Sequence, residues 1–219
     1  MSSEIAQPLL GIIGSSGGAC LKAAAQCLKQ AGIDQRWAVL TDRNCGLSDW
    51  ATSESAVSRI LPYQGVHHFS AHAQDFFSKL GVNKILLFYT RKIGAPLIDA
   101  FEVCNIHPSL LPAFPGLGAL RRAVSTNPKA LGSTLHFVDE NLDTGKIIMQ
   151  VSSPFQTNSS ITAAERISYL QKIWLTLYWQ NGMVRTSPYL QDQVEIEFER
   201  YRDELGFHLP ICAELHRCA

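Results

Sequence analysis

Short apolar runs alternate with amphipathic stretches through the first half of the chain, and few folds accommodate that alternation. Residues 9–13 form an apolar run, and a glycine-rich turn leads from it into an alanine-rich amphipathic stretch at 19–31 that stops at Gly32. This order predicts a strand, a turn and a helix with a glycine C-cap. Residues 37–40 and 84–89 are further apolar runs. Continuous runs of this length are typical of parallel strands that are buried on both faces.

Weaker patterns connect these elements. Residues 65–69 are interpreted as a short third strand and residues 70–80 as a helix, whereas residues 44–58 fit no single pattern. A short segment at 96–101 leads into a strand that ends at Asn105. The alternation of strands and helices predicts an α/β fold, a Rossmann-like open and mostly parallel sheet with helices on both faces. Ligands of such sheets bind beyond the carboxyl ends of the strands.

The second half of the chain has a different pattern. Residues 117–125 predict a helix, residues 133–138 alternate as a one-sided strand does, and residues 146–151 predict another strand. A long amphipathic helix is expected at 163–181, and the pattern does not decide between strand and helix in the segment from Arg185 onward. We therefore expect one domain over residues 1–184 and a C-terminal extension, residues 185–219, that packs on it.

Composition and charge exclude several classes of protein. Basic and acidic side chains number 19 each and hydrophobic residues make up 46% of the chain, so neither disorder nor a global attraction to nucleic acid or membrane is expected. The six cysteines lack metal-ligand spacing, and His67, His68 and His72 have no carboxylate or cysteine partner nearby in the sequence. The start of the chain resembles no targeting segment. We expect a cytoplasmic, reduced protein, monomeric or homodimeric, with no metal, nucleic-acid or membrane partner.

The most suggestive polar pair lies at the end of the predicted strand. Asn105 and His107 are two residues apart, so their side chains leave the same face of a strand. Pro108 and Pro112 cannot continue a ladder and give the backbone a defined direction just beyond the pair. A loop that only turns a corner is the alternative interpretation.

Asn105, His107 and Asp143 together suit acyl transfer. A nucleophile that attacks a carbonyl group builds negative charge on oxygen, and Asn105 and a protonated His107 can both donate hydrogen bonds to that oxygen. Asp143 beside His107 favours the imidazolium and provides an acceptor for the proton of the nucleophile, directly or through water. The sequence contains no G-x-S-x-G elbow, so a protein nucleophile is not expected.

Four motifs resemble the folate-dependent formyltransferase family. They are Asn-Ile-His-Pro-Ser-Leu-Leu-Pro at 105–112, Phe-Pro-Gly at 114–116, Gly-Ser-Thr-Leu-His-Phe-Val at 132–138 and Leu-Asp-Thr-Gly at 142–145. The resemblance implies an enzyme that passes the formyl group of 10-formyltetrahydrofolate to a primary amine, with Asn105, His107 and Asp143 as the catalytic positions. The default acceptor that it implies is glycinamide ribonucleotide of purine biosynthesis.

The resemblance also implies contacts for both substrates. The folate co-substrate is expected to contact Arg91, Lys92, Ile93, Gly94, Val138, Asp139, Glu140, Asn141 and Leu142. The acceptor, whose phosphate is expected at the start of the first helix, is assigned to Ser16, Gly17, Gly18, Ala19, Ile106, Pro108 and Gln171. Simpler interpretations stand beside these: Gly17 and Gly18 only form a tight turn, Arg91 and Lys92 are only solvated, and His136 is a hydrogen-bonded core histidine.

Three departures from the family concern the acceptor. The phosphate turn reads Gly-Gly-Ala-Cys at 17–20, the bulky Phe88 and Tyr89 precede Arg91 in place of small residues, and Gln171-Lys172 stands where a Glu-His pair is usual. Alternative functions are therefore formyl transfer to another amine, such as an amino sugar nucleotide, a folate-binding or regulatory protein without activity, and a hydrolase that delivers the formyl group to water.

Overall fold

Seven strands form one sheet in the computed structural model, which describes residues 8–156 and 159–181. The strands are β1 (Leu10–Gly14), β2 (Trp37–Thr41), β3 (Val57–Ile60), β4 (Lys84–Phe88), β5 (Glu102–His107), β6 (Ala130–Phe137) and β7 (Ile147–Pro154). Their order is β3-β2-β1-β4-β5-β6-β7, with parallel pairing from β3 to β5 and antiparallel pairing of β5 with β6 and of β6 with β7. The predicted open, mostly parallel sheet is confirmed.

Within the described residues, six helices accompany the sheet: α1 (Ala19–Gln30), α2 (Gly46–Ser53), α3 (Val66–Lys79), α4 (Ala95–Ile98), α5 (Ala119–Ser125) and α6 (Ile161–Asn181). Buried residues of α1, α2 and α6 pack on one face, and buried residues of α3 and α4 pack on the other. Both faces are therefore covered, and every residue of β1 and β2 is buried. None of the helices in the described residues is long and apolar enough to cross a membrane.

One predicted strand is wrong. Residues 65–69 are not a strand, because Val66 begins α3 and the side chains of Phe69, Ala73 and Phe77 are buried at helical spacing. The third strand is β3, an edge strand whose four residues are all exposed. Burial imposes no apolar pattern on it, and the unassigned segment 44–58 consists mostly of α2 and only reaches the start of this strand.

Strand β6 was predicted to be one-sided, but residues 131–136 are all buried. Neighbouring strands flank β6 on both edges, and α6 packs against it, so polar side chains such as Ser133 and Thr134 are enclosed and hydrogen-bonded. The predicted C-terminal extension, residues 185–219, lies outside the described residues, and the domain boundary at residue 184 stays a prediction.

The strand order reverses between β1 and β4. The connection from β1 leads to β2 on one side, whereas β4 pairs with the other edge of β1, with Gly14 opposite Phe88 at the carboxyl end. Loops that leave two neighbouring parallel strands in opposite directions open a crevice between them. The fold therefore places a binding site beyond Gly14 and Phe88.

Candidate active site

A cavity of about 930 Å³ opens at the carboxyl ends of β1, β4 and β5. It is lined by residues of the glycine turn, of the strand ends and of the loop before β7. Most of the residues expected at the site line it: Ser16, Gly17, Gly18, Ala19, Arg91, Lys92, Ile93, Asn105, Ile106, His107, Pro108, Val138, Asp139, Glu140, Asn141, Leu142 and Asp143. The structure thus brings the three residues expected to be catalytic into one pocket, while Gly94 and Gln171 do not line it.

Asn105 is positioned by the pairing of β5 with β6. It lies directly opposite His136, and side chains of such a cross-strand pair project from the same face. The Asn105 Nδ2 atom is 3.5 Å from His136 Nε2. His107, two residues further along β5, projects from that face as well. The period of the strand and its register together place the amide and both imidazoles side by side.

His107 is held at both ring nitrogens. Its Nε2–H donates to the carbonyl oxygen of Phe114 at 2.9 Å, and its Nδ1 lies 3.3 Å from Asp143 Oδ2. The residue is only 5% exposed. The Phe114 carbonyl can only accept a hydrogen bond, so it sets the ring orientation and directs Nδ1 toward the Asp143 carboxylate.

Asp143 is presented by a tight loop between β6 and β7. Its backbone has a φ of 55°, in the left-handed region, and Oδ2 accepts a hydrogen bond of 2.7 Å from the Gly116 N–H. Gly145 lies so close to the Phe137 carbonyl oxygen that a Cβ atom would overlap it. A side chain at Gly145 is therefore incompatible with the loop path that directs Asp143 at His107.

His136 belongs to the site as well as to the core. Its Nδ1–H donates to the Phe137 carbonyl oxygen at 2.8 Å, so Nε2 carries the lone pair that accepts from the Asn105 amide. Burial lowers the pKa of His136 below its usual value, which favours this neutral form. Asp143 Oδ1 is 3.7 Å from His136 Nε2. The interpretation as a buried, hydrogen-bonded histidine is correct, but it missed the contacts with two expected catalytic residues.

The turn after β5 is braced by Thr134, which lies opposite His107 on β6. The Thr134 hydroxyl donates to the Ser109 carbonyl oxygen at 2.7 Å and accepts from the Leu111 N–H at 3.0 Å and from Gln150 Nε2 at 2.9 Å. Gln150 also donates to the Leu111 carbonyl oxygen. This network, buried at Thr134, supports the expectation of a backbone held in one direction beyond Asn105 and His107, rather than a plain surface corner.

Arg91 stands at the rim of the pocket with its side chain 44% exposed. Its Nε donates to Asp42 Oδ2 at 2.9 Å, and its guanidinium lies 4.9 Å from the centre of the Tyr63 ring. Asp42 is buried and also accepts two hydrogen bonds from Arg43. Hydrogen bonds from Arg43, with further help from the positive charge of Arg91, hold the pKa of Asp42 below its usual value. Arg91 is therefore anchored and not merely solvated.

Gly94 was expected to contact folate, but it does not line the pocket. It is buried behind the pocket wall, where its N–H donates to the Ser70 hydroxyl at 2.9 Å. The space in which its Cβ would stand is filled by Val66. Gly94 therefore joins the start of α4 to α3 and does not face the pocket.

Gln171 was expected to bind the acceptor, and this prediction is also wrong. The side chain is 4% exposed and points between α6 and the sheet. Its Nε2 donates to the Leu131 carbonyl oxygen and the Ser153 hydroxyl, and its Oε1 accepts from the Ser133 hydroxyl. Both the nitrogen and the oxygen of the amide are therefore hydrogen-bonded inside the protein. The neighbouring Lys172 lines the pocket in its place.

The glycine turn leads into α1 without a capping side chain. Gly18 is the N-cap residue with a φ of 66°, and it has no side chain that could accept a hydrogen bond from the first N–H groups of the helix. The first turn also contains no acidic residue. Free N–H groups and the helix dipole therefore face the pocket near Ser16, Gly17 and Ala19.

Other lining residues had not been predicted. Lys172 and the turn at 116–119 line the pocket. From the sequence alone, Lys172 belongs only to the altered Gln171-Lys172 pair, and residues 116–119 belong only to the Phe-Pro-Gly motif and the predicted helix. Phe88 lines the pocket, in agreement with the expectation of a bulkier wall. Leu117 and Leu142 form an apolar rim, with 78% and 68% of their surface exposed. The exposed leucines are the only signal in this set that a sequence could have provided, because Leu within a turn-rich loop is unusual unless it contacts a partner.

The chain is similar to known proteins in both sequence and fold. A sequence profile of the formyl transferase family matches residues 10–177. Phosphoribosylglycinamide formyltransferase of Bacillus subtilis is 38% identical over 112 residues, which are 48% of this chain and 57% of that protein. The enzyme of the same name from Haemophilus influenzae is 37% identical over 94 residues, 42% of this chain and 44% of that one. The matched part thus spans about half the length of these curated relatives.

Solved structures resemble a larger share of the chain. Glycinamide ribonucleotide transformylase 1 of Symbiobacterium toebii superposes with a TM-score of 0.72 at 28% identity, covering 78% of this chain and 84% of that one. The protein of the same name from Geobacillus kaustophilus also has a TM-score of 0.72 at 28% identity and covers 78% of this chain and 95% of that one. Since the profile spans the sheet, the pocket and most of α6, this chain belongs to the formyl transferase family.

Proposed function

We propose that this protein transfers the formyl group of 10-formyltetrahydrofolate to the primary amine of glycinamide ribonucleotide. The observation that carries the proposal is the meeting of Asn105, His107 and Asp143 in one pocket, with His107 Nδ1 3.3 Å from Asp143 Oδ2. Membership of the family and the names of the relatives support this donor and this acceptor. The reaction belongs to purine biosynthesis, and we propose a cytoplasmic location for a monomer or homodimer.

The chemistry follows from what each side chain can donate or accept. The amine nitrogen attacks the formyl carbon, and negative charge develops on the formyl oxygen. Asn105 Nδ2–H and the His107 imidazolium donate to that oxygen. His107 Nε2–H is bonded to the Phe114 carbonyl, so the donor to the formyl oxygen is Nδ1–H, which the substrate shares with Asp143 Oδ2.

Proton transfer completes the exchange. The attacking nitrogen becomes more acidic as its bond to carbon forms, and the Asp143 carboxylate accepts its proton, directly or through water. The bond between the formyl carbon and the folate nitrogen then breaks, and that nitrogen takes up a proton as it leaves. Asp143 gives the proton that it accepted to this departing nitrogen, so the carboxylate ends the reaction in its starting state.

The two substrates are proposed to occupy opposite ends of the pocket. Ile93, Val138 and Leu142 give one end apolar walls that fit a pteridine ring, with Arg91 and Lys92 at the rim. The acceptor phosphate is proposed to bind at the start of α1, near Ser16, Gly17, Gly18 and Ala19. Ile106 and Pro108, which also line the pocket, are proposed to contact the acceptor.

An absorbance assay that follows loss of the folate formyl group tests the proposal. Wild-type protein is mixed with 10-formyltetrahydrofolate and, in turn, with glycinamide ribonucleotide, an amino sugar nucleotide or no amine. We expect turnover with glycinamide ribonucleotide and expect Asp143→Asn to lower kcat by about 10²–10⁴-fold, the usual contribution of a positioned acid or base. His107→Ala is expected to lower kcat as well.

Exposed residues of the same types provide the controls. His67→Ala and Asp34→Asn change side chains on the surface and should leave kcat unaltered. Absence of turnover with every acceptor, or equal kcat in wild type and in both site variants, would disprove the proposed function. Equal loss of the formyl group with and without an amine would indicate a hydrolase.

A further inference from the structure

Lys172 is a charged residue of the pocket for which the proposed chemistry has no use. It lies half-buried on α6 and lines the same cavity as the glycine turn. Within residues 8–156 and 159–181 its ammonium forms no ion pair with an acidic side chain. A partly desolvated cation without a protein partner is costly, so an anion from outside the protein is its natural complement.

The packing of α6 on α1 places this lysine beside the glycine turn. Tyr169 lies three residues earlier on α6, its hydroxyl donates to the Ala19 carbonyl oxygen at 3.5 Å, and its own carbonyl accepts from the Cys20 thiol at 4.0 Å. Residues three apart share a face of a helix, and side chains lean toward the helix N-terminus. The Lys172 side chain therefore leans toward the level of Tyr169 and toward the first residues of α1.

The electrostatics of Cys20 agree with this placement. Burial raises the pKa of the Cys20 thiol to about 11, and the positive charge of Lys172 opposes that rise. Cys20 is the second residue of α1 and itself lines the pocket. The ammonium thus acts on the helix start at which uncapped N–H groups face the cavity.

We propose that Lys172 is a specificity residue that selects phosphorylated amines, pairing its ammonium with the acceptor phosphate opposite the N–H groups at the start of α1. The inference rests on the proposed function and adds to it. Gly17, Gly18 and Ala19 provide backbone donors but no side-chain donor or charge. Lys172 provides the charge from the facing helix, and its target is the phosphate rather than the reacting amine.

The proposal predicts an effect on binding that depends on the phosphate. A hydrogen bond to a charged group contributes about 1.5–3 kcal/mol, which corresponds to about 10- to 150-fold in affinity. Lys172→Ala should therefore raise KM for glycinamide ribonucleotide by about 10- to 150-fold and leave kcat at saturation within about twofold. For the dephosphorylated nucleoside, wild type and Lys172→Ala should have equal KM values.

The experiment compares wild type, Lys172→Ala, Lys172→Arg and the exposed control Lys29→Ala with both acceptors. Lys172→Arg should retain most of the affinity because it keeps the charge, and Lys29→Ala should match wild type. Salt should raise KM for the ribonucleotide more in wild type than in Lys172→Ala, since screening acts on the pair that the variant lacks.

Calorimetric titration of glycinamide ribonucleotide without folate gives a readout that does not require turnover. We expect the dissociation constant to rise in Lys172→Ala by the same factor as KM. An unchanged dissociation constant, or an equal loss for the nucleoside and the ribonucleotide, would overturn the role of Lys172. If wild type binds the ribonucleotide through Lys172 but transfers no formyl group, the proposed function fails and this inference stands; if wild type does not bind it, both fail.

Discussion

Replacing Gln171 with alanine is expected to lower the stability of the protein without impairing recognition of a phosphorylated amine. The Gln171 side chain joins α6 to two strands through hydrogen bonds of 2.9 Å with Ser133, 3.0 Å with Leu131 and 3.1 Å with Ser153. Only 4% of the residue is exposed, so water cannot replace these partners without a rearrangement. The substitution removes all three bonds at once.

The size of the effect follows from that geometry. A buried hydrogen bond contributes about 1 kcal/mol net, so the loss of three bonds lowers the free energy of unfolding by about 3 kcal/mol. The better helix propensity of alanine returns only a few tenths of a kcal/mol, about 0.3. For a domain of this size, about 3 kcal/mol corresponds to a fall in Tm of about 6–12 °C.

Urea denaturation followed by far-UV circular dichroism measures this change. Gln26→Ala is the matched control, because Gln26 is exposed on α1 and the same substitution there should change the free energy of unfolding by less than about 0.5 kcal/mol. Gln171→Glu is a second probe. A carboxylate can still accept from the Ser133 hydroxyl but cannot donate to the Leu131 carbonyl, so this variant should also be destabilised at neutral pH.

The reasoning is refuted if Gln171→Ala unfolds at the wild-type urea midpoint and raises KM for glycinamide ribonucleotide. That pair of results would mean that the amide faces the acceptor and that the contacts with β6 and β7 contribute nothing. A lower midpoint with an unchanged KM is the expected outcome.

Three further predictions concern the loop, the rim and the histidine pair. Gly145→Ala places a methyl group against the Phe137 carbonyl oxygen and should lower the free energy of unfolding by about 1–3 kcal/mol, whereas Gly17→Ala, which meets open space, should be tolerated in a thermal melt. Asp42→Asn removes a carboxylate whose pKa is held low by two arginines. Because the pKa of Asp42 is lower in the folded state than in the unfolded state, the ionised carboxylate stabilises the protein above about pH 4. The difference in urea midpoint between wild type and variant should therefore disappear as the pH falls further. His136→Phe removes the acceptor for the Asn105 amide and should lower kcat about tenfold. His136→Gln keeps an acceptor and should recover part of the loss. Equal kcat in the two variants would contradict the role given to His136 Nε2.

The sequence predicted the elements of the fold wherever their buried residues recur with the period of a strand or a helix. Strands β1, β2 and β4 are continuous apolar runs, because helices cover both faces of the sheet, and α1 has the alternation expected of a helix with one buried face. Strand β3 was not readable. It is an edge strand whose four residues are exposed, so burial imposes no apolar pattern on it.

The candidate site was readable where one strand carries it. The period of two residues predicts that Asn105 and His107 share a face, and the structure places both in the pocket. The partnership of Asn105 with His136 depends instead on the antiparallel register of β5 and β6, in which these residues are opposite each other. A shift of that register by one residue would turn every side chain of β6 to the other face, and no feature within either strand reveals the register by itself.

The positions of Gln171 and Lys172 show what the sequence of a single segment does not determine. The sequence by itself determined that the chain alternates strands with helices, that an amide and an imidazole leave one strand together, and that a turn-rich loop carries Asp143. These are properties of single segments, because side-chain direction follows from backbone period. Tertiary structure alone decided which of two adjacent α6 residues faces the pocket. Neighbouring residues on a helix point about 100° apart, and the docking of α6 against α1 and β6 buries Gln171 and turns Lys172 toward the cavity.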